Sequence, residues 1–314
     1  MKKLLSIILC LIMCTVVMCS CVNSNGTSHE GLKIVCTAFP QYDYVKNILG
    51  SEEGLSLLLD DGADLHSYEP TATDIIEIAS ADLFIYIGGI SDSWVEGTLK
   101  SANSESLKPV ALMDMVETYE VDYVAGMEKE HNHIHESEHE KDEHIWLSLR
   151  NSAEITKNLC EIICEIDSAN SEKYKTNAEN YINSLNALDG EYKSVIESAN
   201  RNTLLFADRF PFRYLVEDYG LDYHAAFSGC SSESEASFQT MAFLIDKTKE
   251  LKLPAVIITE GSDGSIAEMI CSETGAKILT LDSCQSVSSA DIARGTNYLD
   301  IMRNNLEILR EALN

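Results

Sequence analysis

Two sets of four short apolar runs, separated by one long amphipathic stretch, restrict this chain more than any other feature of its sequence. The first set is Leu32–Phe39, Leu55–Leu59, Leu83–Ile87 and Val110–Met113; the second is Thr203–Ala207, Tyr223–Phe227, Ala255–Thr259 and Lys277–Leu281. Each run has strand length, and the segments between them carry helical spacing, so the alternation predicts parallel βα units. Between the sets, Tyr174, Ala178, Tyr181, Ile182, Leu185, Leu188, Tyr192, Val195 and Ile196 recur at intervals that place them on one helical face. This predicts a single helix over 171–200, about 40 Å long, with Gly190 as its weak point. The expected fold is α/β: two lobes, each with a four-stranded, mainly parallel sheet flanked by helices, bridged by one long rigid helix. Ligands of such sheets bind beyond the carboxyl ends of the strands, which directs attention to the residues there.

Four polar side chains follow the runs closely: His66 after the second, Asp208 after the fifth, Glu260 after the seventh and Asp282 after the eighth. A fifth candidate, His144, precedes Trp146 and a helical region beginning near Leu149. Imidazole and carboxylate converging from two lobes suit a divalent first-row metal, with histidine favouring zinc over calcium or magnesium. Spacing alone is weak support, because acids after strands often cap helices. The segment 125–144 differs in kind. It interleaves His131, His133, His135, His139 and His144 with Glu128, Glu130, Glu136, Glu138, Glu140 and Glu143 and has no periodicity that could bury it. It reads as a solvated, mobile loop whose imidazoles form an auxiliary, weak metal collector beside the main site.

The N-terminus has the layout of a secretory signal, with Lys2 and Lys3 followed by an apolar run from Leu4 to Met18. That run is short for a spanning helix. Met18-Cys19-Ser20-Cys21 resembles a lipobox, so Cys21 is the expected lipidation site and two acyl chains there would anchor the chain stably. The expected division is a signal peptide over 1–20, a lipidated tether over 21–31, an N-terminal lobe over 32–170 containing the His-rich loop 125–143, a linker helix over 171–200 and a C-terminal lobe over 201–314. Acids outnumber basic residues 51 to 23, a net charge of −28, which argues against nucleic acid as a partner and against adhesion to anionic lipid by the protein surface. Cys36, Cys160, Cys164, Cys230, Cys271 and Cys284 show no CxxC spacing, and their pairing is not legible in the sequence; Cys160 and Cys164, one helical turn apart, look like core positions.

The motifs themselves resemble a known family. Gly62-Ala63-Asp64-Leu65-His66-Ser67-Tyr68-Glu69-Pro70-Thr71 is similar to the first-ligand motif of the zinc and manganese solute-binding lipoproteins of bacterial ABC importers, a family that includes the zinc-uptake and lipoprotein-receptor-antigen proteins. Asp142-Glu143-His144-Ile145-Trp146-Leu147-Ser148 resembles the second motif, with Glu143 where proline is usual. Phe206 to Leu221 resembles the third-ligand region and Leu281-Asp282-Ser283 the fourth. The resemblance covers essentially the whole mature chain and implies a two-lobed binding protein, not an enzyme. It would capture Zn2+, or Mn2+ in a related reading, and deliver it to a permease and its ATPase, as a monomer on the outer face of the cell membrane.

The family's third ligand, a His or Glu, falls on Arg209, and a guanidinium cannot ligate a metal. Asp208 is the expected replacement, with Arg209 bracing a carboxylate; Glu233 or Glu235 could supply a carboxylate instead, or water could complete the set. The expected ligands are therefore His66, His144, Asp208 and Asp282. Two rivals stand beside this reading. A zinc hydrolase could use Glu260 as general base, but no HExxH or nucleophile motif is present. A surface adhesin could hold metal for structure alone.

Overall fold

The computed structural model describes residues 31–59, 65–128, 140–229, 231, 235–285 and 287–314. The signal segment 1–20, Cys21, His131, His133, His135, His139, Cys230 and Glu233 lie outside the described residues.

Eight strands among the described residues form two four-stranded sheets. β1 (Ile34–Cys36), β2 (Leu55–Leu57), β3 (Leu83–Tyr86) and β4 (Lys108–Ala111) take the order β2-β1-β3-β4. β5 (Thr203–Phe210), β6 (Asp222–Ser228), β7 (Ala255–Thr259) and β8 (Lys277–Leu281) take the order β6-β5-β7-β8. Every pairing is parallel, as eight apolar runs joined by helical segments require. Because each sheet grows in both directions from its first strand, each has a switch point there, between β1 and β3 and between β5 and β7.

Several strand boundaries differ from expectation: β2 ends at Leu57 rather than Leu59, and β5 runs on to Phe210 rather than stopping at Ala207. The first run does not continue to Phe39. β1 stops at Cys36 and a helix occupies Phe39–Leu49, with Pro40 in its first turn, where a missing N–H costs nothing. Gln41 completes that turn by accepting the Thr37 N–H at 3.0 Å. The fourth run ends at Ala111, and Met113 falls in the 3-10 turn Leu112–Met115.

The long helix spans Ser171–Glu197 and passes through Gly190 without interruption. It buries Tyr174, Ala178, Tyr181, Leu185, Leu188, Tyr192 and Val195, seven of the nine residues in the predicted stripe, while Ile182 and Ile196 at its margin are only partly buried. Polar contacts fasten it at both ends. Tyr181 donates to Asp43 at 2.8 Å and Asn177 to the Ile48 carbonyl at 3.0 Å, both on the helix Phe39–Leu49. Tyr192 donates to the Met302 carbonyl at 2.6 Å, on the C-terminal helix Tyr298–Ala312. Of the cysteine pair on the helix Leu149–Ile166, Cys160 is buried and Cys164 partly so.

The stretch 125–144 is not solvated at its ends. Met127 is buried, and Asp142, Glu143 and His144 are at most 3% exposed. The Glu128 N–H donates to the Ala226 carbonyl at 2.8 Å, the Asp142 N–H to the Tyr119 carbonyl at 2.9 Å, and Tyr214 to the Asp142 carbonyl at 2.7 Å. Individual polar partners, rather than a periodic apolar face, bury these ends, so a reading of period could not detect it.

Asp43 is a buried acid that the fold holds away from water. Burial raises its carboxyl to about 6, against which the Tyr181 hydrogen bond and Lys46 act. The raised pKa means that the folded chain keeps a proton the unfolded chain has released, so folding loses stability as pH rises from about 4 to 6. The loss amounts to about 3 kcal/mol at most. Asp43→Asn removes this penalty while leaving an acceptor for Tyr181. Its stability relative to the parent chain should therefore increase between pH 4 and pH 7, measured by thermal melts across that range; a constant difference would contradict the assignment.

Candidate metal centre

Where the two sheets end, a cavity of about 210 Å³ is lined by His66, Asp208, Arg209, Gly229, Thr259, Glu260 and Ser283 among others. Both lobes contribute. His66 sits in the 3-10 turn Leu65–Ser67 on the first lobe, just before a helix, Ala72–Ala79, that Thr71 caps through the Asp74 N–H at 3.3 Å. Glu260 follows β7 directly, at the switch point of the second sheet.

His144 is completely buried and precedes the turn Ile145–Leu147, whose Trp146 donates to the Ser283 carbonyl at 2.8 Å and so ties the two lobes together. Its ring lies 5.5 Å from that of His66, centroid to centroid. Asp142 holds its orientation: one carboxylate oxygen stands 2.9 Å from both the His144 N–H and Nδ1. The other ring nitrogen, Nε2, is buried without a hydrogen-bond partner. An unsatisfied imidazole nitrogen in the interior is costly unless a ligand fills the gap. Gly229 makes the ring's position feasible, since a Cβ there would stand 3.0 Å from His144 Cε1 and 2.9 Å from the Phe210 carbonyl.

His66 Nδ1 lies 2.8 Å from Ser91 Oγ and 3.1 Å from Glu143 Oε1. Glu143 is fully buried, and it also accepts the Ser91 N–H at 3.1 Å and its hydroxyl at 2.5 Å. Burial would raise this carboxyl, but the His66 hydrogen bond, the His144 charge and the Ser91 hydroxyl outweigh it and hold the group at about 2. Around His144 the balance has the same cause: burial disfavours the proton, and Asp142, Glu143 and Glu260 together raise the imidazole nonetheless.

Across the cavity, Glu260 accepts the Ser283 N–H at 2.7 Å and the Ser283 hydroxyl. Asp282 accepts the Cys284 N–H at 2.7 Å, and Asn305 secures its backbone on both sides at 2.9 and 2.7 Å. Burial, and for Glu260 the neighbouring Asp282, pushes both carboxyls up. Two acids crowded out of water in this way favour protonation or a cation between them.

Asp208 lies inside β5 rather than after it. The β5–β6 register shifts between Phe206 and Arg209, and this bulge sets Asp208 toward β7, where it accepts the Thr259 N–H at 3.1 Å and the Thr259 hydroxyl at 2.7 Å. Its second oxygen accepts the Arg209 N–H at 2.8 Å.

The cavity thus brings His66, Asp208, Arg209 and Glu260 together, with His144 packed behind Gly229; Asp282 is not among its lining residues, and Glu235 is exposed. Among the described residues no three His, Cys, Asp or Glu side chains already form a ready cage. Sequence reasoning missed the roles of Asp142, Glu143, Ser91 and Gly89. The available signal was the acid at Glu143 in place of the proline its motif usually carries.

Residues 34–312 match the profile of the periplasmic zinc-uptake complex component A family, ZnuA. The high-affinity zinc uptake system protein ZnuA of Bacillus subtilis is 29% identical over 309 residues, covering 96% of this chain and 95% of that one. The zinc-binding lipoprotein AdcA of Streptococcus pneumoniae is 29% identical, over 95% of this chain but only 59% of its own longer sequence. The crystal structure of the Zn(II)-bound ZnuA-like domain of AdcA superimposes with a TM-score of 0.74 at 26% identity, over 90% of this chain and 98% of that domain.

The close approach at Gly229 gives a direct test of the His144 geometry. Gly229→Ala should destabilise the metal-free protein by about 1–3 kcal/mol, because neither the Phe210 carbonyl nor the buried ring can retreat freely. Urea unfolding measures this, and a variant as stable as the parent would show that the ring is not confined as described.

Proposed function

The chain belongs to the periplasmic zinc-uptake complex component A family, and on that premise we propose that it captures Zn2+ in the cavity between its lobes and hands it to the permease of an ABC importer driven by an ATPase. The observation that carries this reading is the buried, unpartnered Nε2 of His144, whose ring is fixed by Asp142 and lies 5.5 Å from the His66 ring. A histidine whose other nitrogen is held by a carboxylate is the usual form of a zinc ligand.

In this proposal His66 and His144 are the nitrogen ligands. Glu260 supplies oxygen ligation from the second lobe, with Asp282 behind it able to join when the cavity closes on the ion, and Asp208 contributes from the cavity wall, where Thr259 orders it. Arg209 lines the same cavity, and its fixed positive charge offsets part of the acidity there. Two imidazoles and carboxylate oxygen satisfy zinc in tetrahedral geometry, whereas manganese would need additional oxygen ligands. The role is binding and release, with no catalytic step.

The remaining assignments complete the picture. Residues 1–20 act as a signal peptide, Cys21 carries the lipid that holds the monomer at the outer face of the membrane, and 21–31 is the tether. The lobes are 32–170 and 201–314, joined by 171–200. His131, His133, His135 and His139 collect further ions weakly beside the main site. No helix among the described residues is long and apolar enough to cross a membrane.

Native mass spectrometry of the soluble form, with zinc competed against manganese, tests the reading. The parent should retain one tightly held zinc plus weaker equivalents. His66→Ala combined with His144→Ala should lose the tight ion, and an unchanged tight ion in that variant would refute the site. Deleting 129–139, which keeps Glu128 and also Glu140, whose carbonyl accepts the Val121 N–H at 2.8 Å, should remove the weak equivalents only.

A further inference from the structure

Asp142 and Glu143 are adjacent in sequence and point to different histidines. Asp142 Oδ1 lies 2.9 Å from Nδ1 of His144, while Glu143 Oε1 lies 3.1 Å from Nδ1 of His66, on a turn 77 residues earlier in the chain. Ser91, in the 3-10 turn Ile90–Asp92 that follows β3, bridges the second pair, touching His66 Nδ1 at 2.8 Å and Glu143 Oε1 at 2.5 Å.

The room for Glu143 is made elsewhere. A Cβ on Gly89 would stand 2.1 Å from Glu143 Oε2 and 2.5 Å from its Cβ, so a glycine is needed opposite this side chain. A fully buried carboxylate is costly unless each oxygen is used, and here Oε1 and Oε2 both accept hydrogen bonds. Proline, the residue expected at this position in the motif, has no group that could make these contacts.

We propose that Glu143 is a positioning residue for metal capture: with Ser91 it holds Nδ1 of His66 as the hydrogen-bonded nitrogen, so that Nε2 is the one that ligates zinc. The tripeptide Asp142-Glu143-His144 then sets both nitrogen ligands at once, one through each acid. This inference rests on the reading of His66 and His144 as zinc ligands. The carboxylate also makes the imidazole a stronger donor, because a negative acceptor behind the ring increases electron density at the opposite nitrogen.

Glu143→Gln keeps the size and an acceptor oxygen but removes the charge. It should weaken zinc binding about tenfold to a hundredfold, the range expected for an outer partner of a ligating histidine. Titration of the metal-free protein with zinc against a chelating indicator measures this. A role in packing alone would not alter the His66 tautomer, so nitrogen-15 correlation spectra of the metal-free protein supply the second readout. The parent should show His66 protonated at Nδ1, Glu143→Gln should show a mixture of tautomers, and His144 should be unchanged in both.

Parental affinity and tautomer in Glu143→Gln, with binding lost in His66→Ala, would overturn the positioning role and leave the zinc site standing. Parental affinity in His66→Ala would instead remove the site and this inference with it. Should Glu143→Gln fail to fold, Glu143→Ala carries the same two readouts: a mixed tautomer with weaker binding supports the role, and parental values overturn it.

Discussion

The arrangement of the whole site depends on one buried junction of hydroxyl groups. Tyr44, on the helix Phe39–Leu49, and Tyr298, on the helix Tyr298–Ala312, both meet the hydroxyl of Ser152, at 2.7 and 3.0 Å. Tyr298 also donates to the Trp146 carbonyl at 2.5 Å. All three side chains are out of contact with water, where an unpaired hydroxyl would be expensive and a satisfied network is correspondingly rigid. The junction joins segments from both ends of the chain at the point where the backbone passes through Trp146, two residues beyond His144. The long helix lies against the same region, since Tyr181 packs on Tyr44 with ring centroids 6.2 Å apart. The position of His144 is therefore set by contacts between the lobes as much as by its own loop.

The electrostatics of the cavity follow from this rigidity. Asp142 and Glu143 on one side, and Glu260 and Asp282 on the other, are withdrawn from water beside two imidazoles. Such a concentration of acid is unfavourable for an empty protein and favourable for one holding a divalent cation. The fold has thus already desolvated these carboxylates and fixed them by hydrogen bonds. The overall acidity of the chain acts in the same direction but at longer range, where salt screens it.

The fold was legible because its signals are periodic. Eight apolar runs became eight parallel strands, and the stripe from Tyr174 to Val195 became the buried face of one helix. His66, Asp208 and Glu260 were legible as residues near strand ends, and they do line one cavity. The parts that were not legible depend on single contacts. No pattern announces that Glu143 is buried, because its partners Ser91 and His66 lie 52 and 77 residues away in the chain. Nor could spacing reveal the bulge in β5, which gives Asp208 to Thr259. The end of the first strand was misplaced because an apolar run reads the same whether it continues as strand or turns into a buried helix; Pro40 was the local clue.

Gly89 and Glu143 are linked more tightly than their separation suggests. The absence of a side chain at 89 is what admits any side chain at 143, since even the Cβ of Glu143 would stand 2.5 Å from an added Cβ. Proline at 143 would meet the same close approach through its own Cβ, so glycine at 89 is required by either residue. With the acid in place, the glycine cannot be exchanged on its own. Position 89 is therefore expected to stay glycine among descendants of this sequence, whichever residue 143 carries.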